Sequence, residues 1–184
     1  DAALTIEFGD AIDEALNARV LSLNAEINRE RPAGVVETIP TYRSLFVVYD
    51  PVAVGFAELA ALLLDKASPD LPPPGAGRVW RFPVCYGGAY GEDLPFIADR
   101  TGLSQAEVVR RHAAGVYRIY MMGFIPGFTY LGGLDPAIAA PRRDDPRLTS
   151  PPGTISIGCV QTGIQCLAAP TGWHLIGRTP ARTY

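Results

Sequence analysis

Lysine is nearly missing from this chain: of its sixteen basic residues only Lys66 is a lysine, the rest being arginine. A Schiff-base or P-loop lysine would therefore have to be Lys66, which ends an apolar run outside any GxxxxGK[ST] context. A Walker-type ATP site in this chain is excluded on that ground. Cysteine is also scarce. Cys85, Cys159 and Cys166 are odd in number and contain no CxxC pair, so a disulfide framework is not expected and a reducing, cytoplasmic setting is. The three thiols read as small buried hydrophobes. Only two histidines occur, His112 and His174, and neither sits in a cluster with the four N or S ligands of a closed metal site, so no metal is expected. No apolar run approaches the roughly 20 residues of a membrane helix, and no basic segment followed by an apolar one marks a secretory signal.

What is present is an ordinary globular composition, 48% hydrophobic and 19% charged over 184 residues. The charge is unevenly spread. Residues 1–77 hold twelve acidic and five basic residues, a net of −7, whereas residues 78–184 hold seven acidic residues and eleven arginines, a net of +4. Either the halves meet complementary surfaces or the asymmetry is ordinary solvated surface. A net charge of −3 without a basic, aromatic stripe argues against nucleic acid as a partner.

The first half reads as β-α-β-β-α. Ala3 to Phe8 alternates as a strand does. Ile12, Leu16, Val20, Leu23 and Ile27 then form an amphipathic helical stripe, with Asp10 placed to cap it and Arg31-Pro32 to end it. Val35 to Ile39 and Ser44 to Tyr49 predict a hairpin around Pro40-Thr-Tyr-Arg43. A second helix carries Phe56, Leu59, Ala60 and Leu63 on one face. The expected product is an α+β domain over residues 1–70, with a sheet on one side and two helices on the other. Residues 71–77, rich in proline and glycine, predict a linker.

Residues 78–184 form the second expected domain. It opens with a strand from Arg78 to Cys85 and the glycine-rich Gly87-Gly-Ala-Tyr-Gly91. That turn resembles a phosphate loop only superficially, because Glu92 and Asp93 would set negative charge against the following helix N-terminus. Of the two helices that follow, the second starts at the capping box Ser104-Gln-Ala-Glu107, with Leu103 and Val108 as staple. It ends near Arg110-Arg111-His112. His112 is read either as a cation complementing the helix C-terminus or as a candidate general base, the former being favoured. Short β-rich runs from Val116 onward suggest a small barrel or folded sheet.

Three segments of that β-rich region are candidate sites. Gly123-Phe-Ile-Pro-Gly-Phe-Thr-Tyr-Leu-Gly-Gly133 offers rigid walls in Phe124, Phe128 and Tyr130 around the turn Pro126-Gly127; it is either a binding surface or a tight edge with a core of aromatics. Gln161, Thr162 and Gly163 either orient a small amide or carboxylate or make an ordinary turn. Arg178, with Thr179 beside it, either grips a carboxylate or phosphate or is a surface or ion-paired arginine.

Pro83-Val-Cys-Tyr86, Tyr117-Arg-Ile-Tyr-Met-Met-Gly-Phe-Ile-Pro-Gly-Phe128 with Tyr130-Leu-Gly-Gly133, Gln161-Thr-Gly163 and Gly172-Trp-His-Leu-Ile-Gly-Arg-Thr-Pro180 occur in order. Together they resemble the signature blocks of the KipI (PxpB) family, also described as the B component of 5-oxoprolinase, allophanate hydrolase subunit 1 or the carboxyltransferase C/D subdomain. The resemblance implies a small α+β domain followed by a cyclophilin-like β-barrel. It further implies work in a complex with a KipA-like C-type component and an A-type one, the substrate site lying where two barrel-like domains face each other. Stand-alone bacterial members belong to 5-oxoprolinases, which open 5-oxoproline to glutamate with ATP. The alternatives it implies are inhibition of a histidine kinase and a carboxyltransferase role in urea carboxylase. The binding residues it implies are Phe124, Pro126, Gly127, Phe128, Tyr130, Gln161, Thr162, Gly163, Arg178 and Thr179; it names no catalytic residue. Cys159 and Val160 stand where the family has small residues and are expected to narrow a cleft. Family members continue past the position of Tyr184, so this chain is expected to stop short of the full barrel and leave an open sheet edge unless a partner fills the gap.

Overall fold

The computed structural model describes residues 2–67 and 77–182. The proline-rich segment, except Gly77, lies outside the described residues. The chain divides into two compact units, residues 1–78 and 79–184, each mixing helix and sheet.

In the first unit a three-stranded antiparallel sheet runs in the order β1 (Ala3–Glu7), β3 (Ser44–Tyr49), β2 (Val35–Pro40). Helices α1 (Glu14–Glu30) and α2 (Phe56–Lys66) supply its core partners, and Val20, Leu23, Ile27, Leu59 and Leu63 are buried with Leu45, Val47 and Tyr49. The cap of α1 is Asp13 rather than Asp10: its carboxylate accepts from the amides of Ala15 and Leu16 at 2.8 and 3.0 Å. The helix therefore begins too late to include Ile12, which is exposed. Arg31, in the left-handed region with φ of 50°, ends the helix as expected. Phe56, expected on the buried face of α2, is its first residue and is exposed. Lys66 is ion-paired to Glu30 across the two helices.

In the second unit the expected strand from Arg78 shrinks to β4 (Cys85–Tyr86). Only these two residues find a ladder, opposite Gly177 and Arg178, while Val79, Trp80 and Phe82 are exposed and Pro83 has no N–H to donate. Gly87 and Gly88 take positive φ in a 3₁₀ turn, which fits the structural reading of that motif. Helices α3 (Leu94–Thr101) and α4 (Gln105–Ala114) follow, the latter capped by the Ser104 hydroxyl on the Glu107 amide.

The remaining strands are β5 (Arg118–Met122), β6 (Thr129–Gly132), β7 (Arg147–Ser150), β8 (Thr154–Gly158), β9 (Gln161–Ile164), β10 (Ala169–Thr171) and β11 (His174–Arg178). Six strands form one sheet in the order β4-β11-β8-β9-β6-β5, and β10 pairs with β7. Gln161-Thr-Gly163 is thus a buried central strand, not a turn. The turn is the two residues before it, Cys159 and Val160, which join β8 to β9 with Gly158 opposite Gln161. Both are exposed, as is Cys85; of the three thiols only Cys166 is buried.

Strand alternation gives the central sheet two different faces. Opposed pairs share a face, so Ile155 with Ile164 and Ile157 with Thr162 point one way, and Ser156 with Gly163 and Gly158 with Gln161 the other. The first face packs with Leu94, Ile97 and Val108 of α3 and α4. The second carries a separate cluster of Phe128, Cys166 and Trp173, with Ile125 and Tyr130 against it.

Candidate functional site

The second face of the sheet is floored by glycine. A Cβ at Gly158 would fall 2.5 Å from the Trp173 indole, and one at Gly163 would fall 3.0 Å from both Trp173 and Phe128. Without side chains there, the indole lies close against the strands. Phe128 stands edge-on to Trp173, Tyr130 and Phe124, with ring centroids 5.9, 4.8 and 5.8 Å away. Above this floor opens a cleft of about 210 Å³ lined by Phe124, Phe128, Tyr130, Trp173, Arg142 and Gln165, with Pro146, the end of β10 and Gly172 completing its wall.

Backbone geometry holds Phe124 at the mouth. The 123–128 turn closes on itself through the Ile125 amide on the Gly123 carbonyl and the Phe128 amide on the Ile125 carbonyl. This forces Phe124 to φ of 66°, a left-handed conformation costing a residue with a Cβ about 1 kcal/mol. The ring so placed is 61% exposed. A strained, exposed aromatic at a cleft mouth is a functional signal, since its burial does not compensate for the strain. Pro126 and Gly127 shape the turn rather than line the cleft: the Pro126 carbonyl accepts the Cys166 thiol, and Gly127 has φ of 78°.

The opposite wall is fixed by Asp93. This buried carboxylate accepts from Arg143 at 2.9 Å, from Arg147 at 2.7 and 2.9 Å, and from the Leu175 amide at 2.7 Å. It is therefore a structural hub, its charge met by two guanidinium groups. The Arg143 amide also donates to the Gly172 carbonyl at 2.7 Å, tying the 141–146 loop to the turn that carries Trp173.

His112 and Thr162 are not in this cleft. Both are buried on the core face, where Thr162 donates its hydroxyl proton to the Ser156 carbonyl at 2.9 Å. Its oxygen must then accept from His112 Nε2–H at 2.9 Å, which leaves His112 Nδ1 to accept from the Tyr86 hydroxyl at 2.8 Å. One tautomer of the neutral ring satisfies every partner. Burial lowers the His112 pKa to about 4, so it is not the helix-terminal cation expected from its position. Burial likewise pushes Tyr86 up to about 12, and Tyr117, whose hydroxyl donates to the His112 carbonyl, is also raised.

Of the residues singled out from sequence, Phe124, Phe128 and Tyr130 come together as cleft walls, while Gly163 lies beneath the Phe128 and Trp173 rings without lining the cleft itself. Gln161 is buried at the hairpin end and does not line the cleft. Arg178 and Thr179 line a different cleft of about 440 Å³, with Gly153 and Cys166, where the Arg178 guanidinium sits over the Tyr90 ring. Cys159 and Val160 line neither. Sequence reasoning missed Arg142, Gln165 and Trp173. Counting by twos from Gly163 would have found Gln165, since alternate strand residues share a face. Among the described residues no three His, Cys, Asp or Glu side chains converge as a metal site would need, and no helix is long and apolar enough to cross a membrane.

Known proteins share this outline. The family model for the carboxyltransferase domain, subdomain C and D, matches residues 1–184. A Bacillus subtilis (strain 168) protein, named as the B component of 5-oxoprolinase, is 38% identical over 98% of this chain and 80% of its own length. The crystal structure of TTHA0988 superposes with a TM-score of 0.86 at 37% identity, over 99% of this chain and 35% of that one, so this chain spans about a third of TTHA0988. The Kluyveromyces lactis urea amidolyase shares the fold at a TM-score of 0.79 and 19% identity, over 96% of this chain and 12% of its own. The chain belongs to the carboxyltransferase subdomain C and D family.

Proposed function

We propose that this chain is the B component of a 5-oxoprolinase, contributing one wall of the site at which 5-oxoproline is opened to glutamate. The observation that carries the reading is likeness over 98% of the chain to a protein named for that component. The aromatic cleft supports it: the volume suits a small cyclic amide, and apolar walls with a few polar groups are what such a ligand needs. The second unit is read as a cyclophilin-like barrel domain following an α+β domain, the two joined by the proline-rich linker.

A lactam is a poor electrophile, and hydrolysis at neutral pH needs its carbonyl activated. In this reading ATP supplies the activation and is bound by a partner, since the single lysine is ion-paired to Glu30. The partners are a KipA-like C-type component and an A-type one, and this chain alone is inactive. The complex is cytoplasmic. The open, half-walled cleft agrees with a site completed by another polypeptide. The test is reconstitution with both partners, following glutamate formed from 5-oxoproline and ATP. Glutamate should appear only when this chain is present; full activity in its absence would reject the assignment. The fold shared with urea amidolyase makes urea the substrate to run beside 5-oxoproline, and no turnover of urea is expected.

A further inference from the structure

Three arginines lie in and just after the loop that walls the cleft, Arg142 and Arg143 within it and Arg147 at the start of β7, and they are not used alike. Arg143 and Arg147 are both held by Asp93, and Arg147 also reaches Glu92 at 3.3 Å. Arg142 has no ion pair or hydrogen bond among the described residues, is exposed, and lines the cleft together with Trp173. Asp144 and Asp145 follow it closely in sequence, yet neither pairs with it. Among the described residues the cleft lining contains no acidic side chain. A guanidinium at the edge of an aromatic pocket, without a counter-charge, is arranged for a planar anion that enters from solvent.

We infer that Arg142 binds the carboxylate of the substrate, while the ligand ring rests on Trp173 and Phe128 with the Gln165 amide within the same wall. This rests on the functional reading above and adds a residue role to it: Arg142 determines that the substrate is a lactam bearing an acid rather than a neutral lactam. Two features support the placement. The Arg142 charge acts on the Tyr130 hydroxyl in the same cleft, favouring its ionised form against the larger, opposing effect of burial. Gln165 is 1% exposed yet lines the cleft, and among the described residues its side-chain nitrogen makes one long hydrogen bond, 3.4 Å to the Ala169 carbonyl. A buried amide so weakly engaged suits recognition of an amide ligand.

The experiment uses the reconstituted complex carrying Arg142→Gln or Arg142→Lys, with 5-oxoproline and its neutral carboxamide as competing substrates. Wild type should prefer the acid. Arg142→Gln should raise KM for 5-oxoproline about tenfold or more with kcat little changed, and erase the preference over the carboxamide. Arg142→Lys, which keeps the charge but loses the fork, should fall between. An active wild type whose KM and preference survive Arg142→Gln would overturn this assignment alone. Equal loss toward both substrates would overturn it too, since that reports a damaged wall and not a lost carboxylate contact. A wild-type complex that forms no glutamate from 5-oxoproline would reject the functional reading, and this inference with it.

Discussion

Lowering the pH should destabilise the second unit through His112 before most carboxylates are touched. In the folded chain this imidazole is held near a pKa of about 4, from an ordinary 6.5, because it is buried beside uncharged Tyr86, Tyr117 and Thr162. Unfolding releases it to take up a proton. A depressed folded pKa means stability is fully present above pH 6.5 and is lost as pH falls toward 4. At about 1.4 kcal/mol per unit, the whole window is worth about 3 kcal/mol, and about 2 kcal/mol of that is gone by pH 5. Both tryptophans, Trp80 and Trp173, lie in the second unit, so urea unfolding followed by tryptophan fluorescence reports that unit by itself. His174 also has its pKa lowered, chiefly by burial, and slopes the same way, so the measurement is the difference between wild type and His112→Gln. Glutamine preserves an acceptor for Tyr86 and a donor for Thr162 without a titrating group. The wild type should lose about 2 kcal/mol more than the variant between pH 7 and pH 5. Equal slopes would show that the ring is not the buried neutral group described above.

Asp93→Asn should cost the second unit about 3 kcal/mol, because Arg143 and Arg147 lose the charge that holds them; both reach solvent, which sets the figure at the low end for a broken buried pair. A thermal midpoint lowered by about 12 °C or more is expected, and a change under about 4 °C would contradict the hub role. Gly158→Ala should displace the Trp173 indole, since the new Cβ would lie 2.5 Å from it. The cost is about 1–3 kcal/mol with an altered tryptophan emission spectrum, and an unchanged spectrum would mean the floor is not as close as described.

Legibility in the sequence followed the range of the interactions that decide each feature. Helix α4 could be read outright because Ser104, Glu107 and their staple lie within one turn. The α1 start lies three residues beyond its expected place because Asp10 and Asp13 are equally good caps, and the choice depends on which phase buries Val20, Leu23 and Ile27. The aromatic walls were visible as a composition, since Phe124, Phe128 and Tyr130 fall in one short segment. Arg142 was not, because its significance lies in Asp93, about fifty residues earlier, engaging its two neighbours. The charge state of His112 was hidden for the same reason. Sequence shows a histidine at a helix end, while the burial that keeps it neutral and its hydrogen-bond partners, Tyr86 and Thr162, come from packing against β4 and β9.

Two adjacent residues of β9, Thr162 and Gly163, explain why the core and the cleft cannot be varied separately. Thr162 faces inward and locks the His112 tautomer; Gly163, the next residue, faces outward beneath Phe128 and Trp173. A strand that slipped by one residue would bury a glycine against His112 and drive a threonine into the indole. The ladder to Tyr130 and Leu131 on one side and to Ser156 and Ile157 on the other fixes that register. The buried hydrogen bonds of His112 therefore do more than satisfy a polar side chain. By making only one register fully bonded, they hold Gly163 where an aromatic floor can form, and they act on the aromatic cleft without touching it.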